Sequence, residues 1–193
     1  MILGLARRAV AIVLRPAEAW DSDTGVGASP LRLTLTYVLP LSLIPAIAWV
    51  LAGLHGEIDL AGRGRAAIVP AHSILVAGVV TLCASIASVW ALAAVLRLLA
   101  PFGGGRRDFS AAFRVAAFGA TPLWVAGITF LIPMLTLFFF AALFEVLLLY
   151  INGLQDVLGV RAEDAGPILA LALMLVCAAS VLAGGALSAA GLI

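Results

Sequence analysis

Residues 110–151 read SAAFRVAAFGATPLWVAGITFLIPMLTLFFFAALFEVLLLYI, and whether this block crosses a membrane once or twice decides the fold. It runs for about forty residues with Arg114 and Glu145 as its only charges, whereas a membrane-spanning helix needs roughly 20 residues. One pass would project far beyond the hydrocarbon on either side. Pro133 lies near the middle of the block. It has no backbone N–H and breaks a helix interior. The block therefore divides into two helices, at about 111–132 and 134–151, joined by a very tight turn.

Outward from this block, the rest of the chain supports a lipid solvent. Of its 193 residues 64% are hydrophobic and 11% charged, and the mean hydropathy is +1.21. A soluble domain carries about 25% charged residues, so this chain could not cover its own surface with polar groups. Three further apolar runs are long enough to span, at about 31–54, 70–99 and 168–192. The first contains Pro40 and Pro45, kinks that neighbouring helices can cover. Pro70 marks the start of the second, and Arg97 near its end can snorkel to headgroups. Residues 1–15 form an amphipathic helix: Arg7, Arg8 and Arg15 fall on one side, Ile2, Leu5, Ile12 and Val13 on the other. Pro16 limits it, and Trp20 suits a headgroup-level anchor. Arg7, Arg8 and Arg15 interrupt any hydrophobic run that would make a cleaved signal. The expected fold is all-α: a polytopic membrane helix bundle of five transmembrane helices plus an N-terminal interfacial helix. Residues 1–30 form the cytoplasmic or interfacial segment and 31–193 the transmembrane domain.

All the basic residues are arginines, and their placement orients the bundle. Arg7, Arg8, Arg15, Arg32, Arg97, Arg106, Arg107, Arg114 and Arg161 fall on one side of a five-span topology. Arg63 and Arg65 fall on the other. By the positive-inside rule the N-terminus is cytoplasmic and the C-terminus lies across the membrane.

Few residues suggest chemistry. Cys83 and Cys177 sit in apolar stretches and read as packing residues. His55 and His72 lack companions at metal-ligand spacing. Gly103-Gly104-Gly105 lacks the Lys-Ser/Thr of a phosphate loop and reads as a flexible link. No catalytic set, cofactor motif or nucleic-acid signal stands out, so the chain reads as a non-enzyme. Glu145 is the one carboxylate well inside a span, where an ionisable residue is costly and points to function. The competing reading places it within two turns of its helix end, paired with Arg97 or Arg114. Arg106, Arg107 and Arg114, with Arg7, Arg8 and Arg15, are candidates for contact with anionic lipid or an acidic partner, or else serve topology alone. Small residues recur at Ala112, Ala116 and Ala120, and again at Ser180, Gly184 and Ser188, marking faces that can pack inward. Thr121-Pro122 should break the third helix, as a structural kink or a hinge, with Thr121 re-satisfying a nearby carbonyl.

The run from Phe109 through Arg114 to Gly119-Ala120-Thr121-Pro122-Leu123 is similar to a phenylalanine-led family helix ending in Thr-Pro-Leu. Gly153-Leu154 through Val160, then Ala165, is similar to that family's following loop, and Leu14-Arg15-Pro16 and the span around Pro45 fit as well. In this order they resemble the bacterial branch of the Yip domain family, the Ypt-interacting proteins, over roughly residues 5–190. The resemblance implies five spans with a cytoplasmic N-terminus. Eukaryotic members act in vesicle traffic and contact Rab-type GTPases. Their Asp-Leu-Tyr-Gly-Pro motif and long N-terminal region are lacking here, so GTPase binding does not carry over.

Two functional readings follow. The preferred one is a membrane protein that organises the bilayer or recruits membrane-protein partners, as an oligomer or otherwise, through its interfacial helix and arginine face. The alternative is a small transporter or channel subunit using Glu145 and the proline-broken helices.

Overall fold

The computed structural model describes residues 12, 20, 28–54, 71–131 and 135–189. The described elements are helical throughout, with no strand among them. Helix α1 is the continuous segment Pro30–Leu54, α2 is Ala71–Leu99, α3 Phe109–Gly119, α4 Thr121–Ala126, α5 Thr136–Asp156 and α6 Ala162–Ala189. Short 3-10 turns extend α2 through Ala100–Gly103 and α4 through Gly127–Leu131. Five segments are long and apolar enough to cross a membrane, and α3 with α4 makes the third of them. The block at 110–151 thus supplies two passes, and Pro133 lies outside the described residues.

Local chemistry sets the helix ends. Ser29 caps α1 by accepting from the Arg32 amide at 3.3 Å, with Pro30 in the first turn where its missing N–H is harmless. Inside α1, Thr34–Val38 widens into a π turn. Pro40 cannot donate to the carbonyl of Thr36, and its ring crowds that carbonyl; the wider turn just before it relieves the conflict. Asp108 caps α3, accepting from the amides of Ser110 (2.9 Å) and Ala111 (3.3 Å), so that helix starts earlier than position 111. The Thr121-Pro122 break is present: α3 ends at Gly119 and α4 starts at Thr121.

Two further boundaries differ from the sequence expectation. Helix α5 continues past 151 to Asp156, because Leu154 is fully buried and Gly153 leaves room for Trp20 and Val115. Helix α6 begins at Ala162, not near 168, and holds Pro167 in its second turn. The Arg161 carbonyl accepts from the amides of Asp164 and Ala165, and two acidic residues favour the positive end of the helix dipole.

The third span is the centre of the bundle. It packs chiefly against the first, second and fourth, while α6 packs on α2 and α5 from outside. Phe113, Val115, Ala116 and Ala117 are completely buried. Trp90 and Phe113 meet edge to face with centroids 5.0 Å apart, and Tyr37 meets Phe118 at 4.8 Å. The Ala112, Ala116 and Ala120 stripe faces inward as anticipated. The second stripe does not: Ser180 is exposed, a side chain at Gly184 would touch nothing within 4 Å, and Ser188 lies beyond the side chains described. Cys83 and Cys177 are likewise on the outer surface and not in the core.

Candidate functional site

Two regions concentrate polar chemistry, one at an end of the bundle and one at its middle.

At the end, the loop after α2 and the loop before α6 are stitched together. The Arg106 amide donates to the Leu158 carbonyl at 2.9 Å, and the Arg161 amide donates to the Gly103 carbonyl at 3.0 Å. Gly104 turns the chain with φ of 78°, a conformation that favours glycine. A side chain at Gly103 would come within 2.8 Å of Val160, and one at Gly105 within 3.0 Å of the Leu158 carbonyl. The triple glycine is therefore a close-packed turn, not a flexible link. Gly105 is required by approach of the Leu158 backbone, Gly103 by the side chains of Val160 and Ile168, and Gly104 by its φ.

The arginines divide by role. Arg106 donates from both its Nε (2.9 Å) and its Nη2 to the Val157 carbonyl, closing the C-terminus of α5. A cation there also suits the negative end of the helix dipole. Arg161 pairs with Asp164 at 2.7 Å and lies 3.7 Å from Glu163. Arg32, Arg97 and Arg107 are exposed at this same end, and Arg114 is half-buried one turn into α3. Phe102 is 79% exposed beside them. Arg7, Arg8 and Arg15 lie outside the described residues. Of the N-terminal segment, Ile12 is buried within the core. Trp20 packs near Phe118 at 6.3 Å and against Gly153, as a bundle contact and not a free headgroup anchor.

At the middle, aromatic donors and hydroxyls pin the helices to one another. The Tyr37 and Thr121 hydroxyls share a 2.7 Å hydrogen bond between α1 and α4. Trp90 Nε1 donates to Thr34 Oγ1 at 3.1 Å, and Trp124 Nε1 donates to Ser85 Oγ at 2.9 Å. The Tyr150 hydroxyl donates to the Ala116 carbonyl at 3.3 Å. Thr121 thus serves Tyr37, not a stray carbonyl of its own helix. None of these pins was anticipated; the signal was a hydroxyl or indole within an otherwise apolar span, which needs a partner when lipid is the solvent.

Glu145 stands apart from these pins. With α5 extending to Asp156, it lies roughly three turns from that end and about two and a half from Thr136. That is midway along the helix, not within two turns of its end. The Arg114 pairing is excluded by register. Val115 packs against Gly153, about 12 Å along α5 from Glu145 at 1.5 Å per residue. Glu145 Oε1 is buried with no hydrogen-bond partner. With Pro122 it lines a cavity of about 420 Å³ between the third and fourth spans. A second cavity, of about 550 Å³, lies between α2, α4, α5 and α6, with Pro45 of α1 also on its wall.

Five apolar crossings around a buried third span, with polar groups pinned inside, define a polytopic α-helical membrane protein. Within that class, the family model described as the Yip1 domain matches residues 10–184, and the chain belongs to this family. Comparison with curated proteins finds no match, and comparison with solved structures finds none.

Proposed function

We propose that the protein is a non-enzymatic organiser of the membrane, holding anionic lipid or a membrane-protein partner on its arginine-bearing end, which faces the cytoplasm. The observation that carries this reading is the backbone hydrogen bonding that ties the two loops of that end together. Two loops locked by reciprocal backbone bonds present Arg107 and the exposed Phe102 beside Arg97 in the last turn of α2. Arginine cations beside an interfacial aromatic attract acidic headgroups, each cation contributing about 1 kcal/mol near the surface. Arg106 belongs to the scaffold of this face, and Arg32, Arg97 and Arg107 to its contact surface. The N-terminal arginines Arg7, Arg8 and Arg15 add to the same positive side.

The test is the triple variant Arg32→Gln, Arg97→Gln, Arg107→Gln, purified from its membrane beside the unchanged protein. The variant should carry at least twofold less co-purifying acidic phospholipid and lose crosslinks to membrane partners. Equal lipid and equal crosslinks would count against the reading. Removal of residues 1–15 should weaken the same contacts, and unchanged lipid and partner binding would count equally against it.

A further inference from the structure

The two intramembrane cavities differ in one respect that bears on ligand binding. In the larger, the lining hydroxyls are already engaged. Thr81, Ser88 and Ser180 donate to carbonyls of their own helices, Tyr150 to Ala116, and Ser85 accepts from Trp124. In the smaller, the carboxylate oxygen Oε1 of Glu145 is buried and has no partner. Its surroundings are Pro122, Val125, Ile128, Leu135 and Phe138; among the described residues Thr129 is the one other polar side chain that lines the cavity, and no second charged residue does. A buried acceptor left without a donor is costly and calls for an explanation.

We propose that this cavity binds a lipophilic organic cation, a protonated amine or onium ion on an apolar body, that enters sideways from the bilayer and takes Glu145 as its counter-ion. The access is lateral: Val125, Ile128 and Phe138 on its rim are exposed on the outer surface of the bundle. At about 420 Å³ it falls in the size range of small-ligand sites, roughly 300–1,000 Å³, which are mostly apolar with few placed polar groups. Charge complementarity selects the ligand. Midway along α5, with Arg114 far along the bundle, the carboxylate has no cation within reach among the described residues, and an incoming cation supplies one. The ring of Phe138 adds a face for the same charge. A bare metal ion is disfavoured, since hard cations take six or more oxygen ligands and this cavity offers a carboxylate and a hydroxyl. The apolar walls instead match an ion whose charge is wrapped in hydrocarbon.

The experiment uses the full chain in lipid nanodiscs, titrated with radiolabelled tetraphenylphosphonium. The expected result is saturable binding, weakened at least tenfold in Glu145→Gln and partly retained in Glu145→Asp. Ile128→Trp, a change at an exposed position on the rim, should reduce binding at least threefold with the carboxylate intact. Triphenylphosphine oxide, a neutral compound of similar apolar body, should not compete. Non-saturable uptake, undiminished binding in Glu145→Gln, or equal competition by the neutral compound would each overturn the proposal. The competition needs only the unchanged protein, so a variant that fails to fold leaves the question decidable.

Discussion

The third and fifth spans are both apolar enough to cross a membrane, yet they meet different solvents. Of the most apolar 18-residue stretch of the third, 72% is buried inside the bundle, against 17% for the fifth. The order of hydropathy runs the other way, the fifth being the most apolar of the five spans and the third the least. In hydrocarbon an exposed leucine loses nothing, so the span facing lipid can be uniformly apolar. The span surrounded by protein must instead supply close approach and hydrogen-bond partners. It does so with Ala112, Ala116, Gly119 and Thr121. From Leu173 onward α6 has no buried residue among those whose side chains are described. Leu173 and Val176 still pack partly against the core, and beyond them its stability comes from its own backbone bonds and from lipid.

Substitutions at matched positions in the two spans can break this contrast. The largest effect is expected for Phe113→Ala, which empties a fully buried site against Trp90 and should cost about 3–5 kcal/mol by thermal unfolding in detergent. Val181→Ala, at a position 74% exposed, should leave the unfolding midpoint nearly unchanged. Comparable losses at both would refute the idea that the two spans have different solvents. Next comes Gly119→Leu, whose side chain would collide with the ring of Tyr150. It should destabilise by about 1–3 kcal/mol, whereas Gly184→Leu should be tolerated in the same size-exclusion and melting assays.

Arg106→Gln tests the end of the bundle. Loss of a charge-assisted bond to the Val157 carbonyl should cost about 1.5–3 kcal/mol and speed hydrogen exchange at the Val157–Arg161 loop. Arg107→Gln, a neighbouring change of equal charge, should do neither. The smallest effect is expected for Tyr37→Phe, which removes one interhelical hydrogen bond to Thr121 and should cost about 0.6 kcal/mol, at most about 1.7. Ser180→Ala removes a bond within a single lipid-facing helix and should change less still. A larger loss from Ser180→Ala than from Tyr37→Phe would assign α6 a buried contact absent from this fold.

Legibility followed the same division. The two small-residue stripes look alike in sequence, but the one in the third span meets neighbouring helices, whereas in α6 Ser180 is exposed and a side chain at Gly184 would meet nothing within 4 Å. Such a pattern records that a helix could be approached closely, not that a neighbour exists. Gly103-Gly104-Gly105 read as slack for a related reason: the carbonyl of Leu158 and the side chain of Val160, which leave room only for glycine, come from more than fifty residues away. Glu145 was legible as the one embedded carboxylate. Its distance from the helix end was underestimated, because the polar run Asn152 to Asp156 reads as a loop while Leu154 and Gly153 hold that run in the helix.

By itself the sequence determined that the chain lives in lipid and crosses it five times. Those properties depend on how many consecutive residues hydrocarbon will accept, a sum taken along the chain. Tertiary structure alone decided which span lies at the centre, which arginine is tied to a carbonyl, and that Glu145 faces a cavity beside Pro122 without a donor. In lipid the inward and outward faces of a helix are equally apolar, so no periodicity marks the core. Shape and the need to pair each buried polar group select the neighbours, and both depend on residues distant in the chain.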